Sequence, residues 1–149
     1  MKNMKTVFAT IAASLIATAA FSGETPSAPG ASVYFINLED GASVQGPVKV
    51  LFGLSGMGVA PAGTDIENTG HHHLFINREP FGEGAEDADI IEYGIPGDDN
   101  HVHFGKGQTE TTLTLGAGTH TLQMVLGDLA HIPHNPPVVS EQITITITE

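Results

Sequence analysis

The chain contains no cysteine. That removes lipoprotein anchoring, covalent c-type haem, iron–sulfur clusters, thiolate zinc sites, blue-copper centres and a thiol nucleophile in one step, since each requires a sulfur that is not there. Disulfides cannot contribute to stability either. Basic residues are nearly as scarce, five Lys and Arg against seventeen Asp and Glu. No apolar run approaches the roughly 20 residues that a membrane-spanning helix needs, and past the first two dozen residues no amphipathic helix pattern of ten or more positions is present. Gly-x-Ser-x-Gly, His-Glu-x-x-His and glycine-rich phosphate loops are also missing.

What is there begins with Lys2 and Lys5 ahead of an apolar, small-residue run from Val7 to Ala20, closed by Phe21-Ser22-Gly23. This is the layout of a secretory signal peptide, and it places the leader at residues 1–22 and the mature protein in the periplasm or outside the cell. Without the leader, three basic residues face seventeen acidic ones, a charge of −14 with neutral histidines. A surface of that sign repels nucleic acid and anionic lipid and gathers cations. Polyanionic partners, nucleic acid among them, are not expected on this ground. Membrane insertion after leader removal is not expected because no later apolar run is long enough, and another envelope protein is the macromolecular partner left open.

Residues 23–31, rich in Pro, Ser and Gly, read as a flexible or extended tether. From residue 32 to 149 the pattern is that of strands. Ser32 to Asn37, Val48 to Leu54, His71 to Asn77, Ile90 to Tyr93, His101 to Phe104, Thr109 to Leu115, Thr119 to Leu126 and Ile143 to Thr148 are separated by Gly, Pro, Asn and Asp, and several alternate polar with apolar residues. About seven short strands at this spacing predict an all-β fold, an immunoglobulin-like antiparallel β-sandwich, with a closed barrel as second choice. The acidic stretch 78–100 is expected to be a solvated connection. The glycine-rich loop Ser55 to Gly70 is long enough to have a function of its own.

Seven of the eight histidines fall into three groups, His71-His72-His73, His101-Val102-His103 and His131-Ile132-Pro133-His134. Strand side chains alternate between faces, so His71 and His73 share one face, as do His101 and His103. Four imidazoles paired in this way have little reason to gather as core packing, because each carries two polar nitrogens that need partners. The expected ligand set is therefore His71, His73, His101 and His103, with His134 as the fifth candidate and His131 and Met57 behind it. His72 lies on the opposite face and is read as a hydrogen-bonded, partly buried residue. His120 enters a late strand where it can bond back to the preceding corner. Met57 is read first as a residue folded onto the end of the sandwich.

A nitrogen-only site suits copper, zinc or nickel, and affinity peaks at copper in the divalent series. The expected cofactor is thus a transition metal ion, copper ahead of zinc. Two other readings accompany this one: an envelope structural or ligand-binding module whose histidines brace loops, and a metal-dependent enzyme with an open coordination position. The absence of catalytic motifs places binding ahead of catalysis.

Taken together, Gly56 to Gly63, Asn68-Thr69-Gly70-His71-His72-His73-Leu74, Asn100-His101-Val102-His103-Phe104-Gly105-Lys106-Gly107-Gln108-Thr109-Glu110, Leu126-Gly127-Asp128 and His131-Ile132-Pro133-His134-Asn135-Pro136-Pro137 resemble a bacterial secreted family, number 4399 among the domains of unknown function. The resemblance implies a small exported domain and carries no activity with it.

Overall fold

The structure, a computed structural model, describes residues 23–149; the expected leader lies outside them. The described residues are all-β, with two sheets and one short helix among them. Strands β1 (Ser32–Phe35), β3 (Val48–Ser55) and β7 (Glu110–Leu113) form an antiparallel three-stranded sheet in the order β1-β3-β7. The larger sheet runs β2 (Ser43–Gln45), β9 (Ile143–Thr148), β8 (Gly118–Gly127), β5 (Thr69–Ile76), β4 (Gly58–Val59), and β6 (His101–His103) also pairs with β5. Two of its pairings are parallel, β2 with β9 and β4 with β5, so where the sequence predicts an antiparallel sandwich of about seven strands, the described residues form a mixed one with nine.

Alternation builds the core. Val48, Val50 and Phe52 of β3 turn inward against Leu74 and Ile76 of β5, Leu122, Met124 and Leu126 of β8, and Ile143, Ile145 and Ile147 of β9. The threonines interleaved along β9 point outward, which is the half-buried pattern its sequence announces. Met57 packs against the edge of this core, as the sequence suggests.

The larger sheet is also covered on its other face. Phe75 and Val125 meet Ile90 and Ile95, with Phe81 and Val139 around them. Ile90 belongs to a helix, α1 (Asp87–Tyr93), where the sequence suggested a strand from Ile90 to Tyr93. Asp87 and Ile90, three residues apart, both face inward on α1, a spacing that a helix brings to one side and a strand does not. Asp87 is buried against the Arg78 guanidinium and also accepts from the backbone N–H groups of Gly82 and Gly84, at 2.6 and 2.9 Å. The acidic stretch is thus a folded cover pinned by a buried ion pair. Because both faces of β5 are covered, every residue from Gly70 to Ile76 is buried, the three histidines included. A strand so placed usually reads as a continuous apolar run. This one carries imidazoles instead.

Candidate metal centre

β5 lies in the middle of its sheet, paired with β8 along one edge and with β6 along the other. The register sets His73 opposite His103 on one side and Val125 on the other, and sets His71 opposite Gly127. His71 and His73, two residues apart, project from the outer face, their ring centroids 4.6 Å apart. The His103 ring stacks on that of His73 at 5.1 Å. The fourth ring is His131, carried on the loop after β8, with centroids 4.5 Å from His103 and 5.0 Å from His71. One ligand nitrogen from each of His71, His73, His103 and His131 lies within 4.8 Å of the other three. Bonds of about 2.0–2.1 Å to a tetrahedral ion put nitrogens about 3.3 Å apart, so each ring need move only ~1 Å to close on a metal. This cluster could hold a metal ion.

Room for the rings is made by glycine. A Cβ on Gly127 would stand 2.5 Å from His73 Cε1 and 2.9 Å from its Nδ1, inside the ring's own volume. Any other residue at the end of β8 would push the His73 imidazole out of its seat.

The electrostatics suit a cation. His73 is fully buried, and neither of its ring nitrogens has a hydrogen-bond partner among the described residues; His71 Nδ1 is in the same condition. Only His71 Nε2 and His131 Nδ1 bond to each other, at 3.1 Å. Burial, reinforced by the neighbouring rings, pushes the His71 pKa down to about 4 and that of His73 to about 2, and burial beside His131 lowers His103 too. His71 and His73 are accordingly neutral near pH 7, the form that ligates metals. Leaving buried polar atoms unpaired costs about 1–3 kcal/mol per group. Gathering three such nitrogens at one point is costly for a core and well suited to a coordination sphere.

Two of the expected ligands lie elsewhere. His101 shares the face of His103, as its spacing requires, but the register carries it past His73 to a place opposite Phe75. There its ring meets Phe75 edge-on at 4.7 Å, Nδ1 donates to Asp98 Oδ1 at 2.9 Å, and Nε2 accepts from Arg78 Nη1 at 2.8 Å. Both nitrogens are taken. His134 is buried with Nε2 3.2 Å from the Thr69 carbonyl and Nδ1 3.4 Å from that of Leu126, a brace between β5 and β8. The fifth candidate is therefore replaced by His131, and Met57 stays with the core on the other side of the sheet.

The remaining two histidines divide. His120 does what its position suggests, its Nε2 donating to the Gly116 carbonyl at 2.8 Å while Nδ1 accepts from Asn77 Nδ2 at 2.9 Å. His72 does not: it is wholly buried against Phe52 in the main core, and neither nitrogen finds a partner among the described residues. Burial lowers its pKa to about 4.

Reading by spacing also undervalued the Gly127-Asp128 pair that ends β8. Asp128 Oδ1 accepts from the N–H groups of Ala130 and Ile132, at 2.8 and 2.9 Å, which folds the loop back and presents His131 in the left-handed region at φ 68°. An acidic residue directly after a strand, three positions ahead of a histidine, is the local signal of such a turn.

Fold and site together define an all-β sandwich with four histidines gathered on the outer face of its larger sheet. The family described as Domain of unknown function (DUF4399) matches residues 50–148, and the chain belongs to that family. No curated protein and no solved structure matches it.

Proposed function

We propose that this protein is an exported metal-binding domain whose ion, copper ahead of zinc, is held by His71, His73, His103 and His131. The observation that carries the reading is His73: a fully buried imidazole, both nitrogens without a partner among the described residues, with three further imidazole nitrogens within reach. Nitrogen-only ligation favours late first-row ions, and copper binds most tightly in that series. The acidic composition draws cations toward the domain. A saturated four-imidazole sphere favours binding, buffering or delivery over chemistry at the metal.

The bracing role also has its place, at other residues. His101 and His120 each hold two hydrogen bonds, and His134 sits between the Thr69 and Leu126 carbonyls; bracing thus accounts for three of the four histidines outside the cluster, His72 being the exception.

The test is titration of the purified, untagged protein with Cu(II) and Zn(II) against a competing chelator. One ion per chain, with Cu(II) the tighter and with binding lost in His71→Ala, His73→Ala, His103→Ala and His131→Ala, is the expected result. Substoichiometric uptake of micromolar affinity or weaker, unchanged by those four substitutions, would end the proposal.

A further inference from the structure

His131 is the one cluster residue that no strand carries, and what holds its loop reaches to the other end of the chain. Residues 23–27, a tether by composition, lie along the loop that follows β8. Gly23 N–H donates to the Pro133 carbonyl at 3.1 Å, Asn135 N–H to the Thr25 carbonyl at 2.8 Å, Ser27 N–H to the Asn135 carbonyl at 3.0 Å, and Ser27 Oγ to the Pro136 carbonyl at 2.8 Å. The approach is close enough that a Cβ on Gly23 would meet the Pro133 oxygen at 2.2 Å. From this segment the Thr25 hydroxyl donates to Asp128 Oδ2 at 2.6 Å. Asp128 is 5% exposed, and its second oxygen is already committed to Ala130 and Ile132. On the loop's far side Ile95 N–H, at the exit of α1, donates to the His131 carbonyl at 2.8 Å.

We infer that the Thr25–Asp128 hydrogen bond is a latch that sets the number of imidazoles at the site. The N-terminal segment orients the Asp128 carboxylate, the carboxylate folds residues 128–132, and that fold sets the His131 ring against His71. With the latch closed the cluster has four nitrogens; with it open, His71, His73 and His103 remain on their strands and a fourth position becomes free for water or an exchanging ligand. The regulated quantity is coordination number, which separates a closed storage site from an open one able to pass its ion on or do chemistry. Thr25 and Asp128 are positioning residues here, acting through His131. The inference rests on the metal reading for its consequence but not for its geometry.

Thr25→Val keeps the shape of residue 25 and removes only the hydroxyl, so it leaves the Asp128 carboxylate in place. Asp128→Ala is the stronger variant: it removes the carboxylate's bonds to Thr25, Ala130 and Ile132, while the backbone bonds from Asp128 N–H to the Ile132 carbonyl and from His131 N–H to the Asp128 carbonyl stay. In metal-free protein, hydrogen exchange at the Ala130 and Ile132 amides and the ring signals of His131 report the latch directly. The expected result is faster exchange at both amides and loss of the His71–His131 contact in Thr25→Val, with β5 and β8 amides unchanged. In Cu(II)-loaded protein, nitrogen hyperfine structure should fall from four imidazoles to three, as in His131→Ala. Affinity should drop by about 10- to 100-fold, the usual cost of removing a group that orients a ligand. Exchange, ring signals and nitrogen count all matching wild type in both variants would overturn the latch. If wild type binds no copper the metal reading fails, while the exchange and ring data still decide whether Thr25 and Asp128 hold His131.

Discussion

Replacing His73 by leucine should have opposite effects on stability in the metal-free and metal-loaded protein. In the folded chain the His73 ring is wholly buried, and both nitrogens lack partners among the described residues. Unfolding returns those nitrogens to water, so each folded molecule bears a desolvation penalty of about 1–3 kcal/mol that an apolar side chain does not. Leucine is close to imidazole in size and fills the same space beside Val125 and Gly127; imperfect packing can take back part of the gain. The metal-free variant should therefore be more stable than wild type by about 1–2 kcal/mol, a rise of roughly 2–8 °C in Tm for a domain of this size. A bound ion reverses the order. At a free concentration 1,000 times Kd, wild type gains about 4 kcal/mol while the variant, with its central ligand gone, gains far less. Thermal and urea melts of both proteins, with chelator and with excess Cu(II), give the four numbers needed. A variant that is less stable than wild type in chelator, or that gains as much from copper, would refute the reasoning, because His73 would then be a satisfied core residue rather than a ligand held ready.

Three further outcomes follow from the same geometry. His101→Ala and His134→Ala should leave copper stoichiometry unchanged and affinity within about threefold, yet each should cost about 1–3 kcal/mol of stability by stranding buried partners, read from urea melts. Gly127→Ala should weaken copper binding by at least ~10-fold, because its methyl group enters the space of the His73 ring; unchanged affinity by titration would show that the ring is not confined as described. For pH, His72 is the informative group. Its folded pKa of about 4 lies below the ordinary 6.5, so above pH 6.5 both states are neutral, and as pH falls toward 4 the unfolded chain takes up a proton that the folded chain refuses. Stability is lost across that window, by about 2–3 kcal/mol at pH 4.5 from this residue. In metal-free His72→Leu that share of the acid loss should vanish; equal losses in variant and wild type would show His72 to be protonated or paired in the fold.

Much of the sandwich is legible in the chain because alternation is a local property. Val48, Val50 and Phe52, or Ile143, Ile145 and Ile147 between threonines, state which side faces in wherever their partners lie. Helix α1 is not legible. Ile90-Ile91 looks like strand material among acids, and the helix is stabilised by the burial of Asp87 against Arg78 and of Ile90 against Phe75, contacts with residues outside the helix that its own pattern does not announce. The histidines show the same division. Spacing tells correctly that His71 and His73 share a face and that His101 and His103 do, but not where along β5 the second pair lands. The register gives His103 to the cluster and hands His101 to Asp98 and Arg78. His131 is settled by a loop conformation that depends on Thr25, more than a hundred residues away in sequence. Composition shows that imidazoles are plentiful; only the assembled sheet shows which four converge.

Anomalous diffraction at the copper edge from crystals of the loaded protein tests the central claim most directly. One peak on the outer face of the larger sheet, about 2.0–2.1 Å from a nitrogen of each of His71, His73, His103 and His131, is the predicted result. A peak beside His101 or His134 instead, or copper scattered over surface carboxylates with the four rings in their metal-free positions, would contradict it.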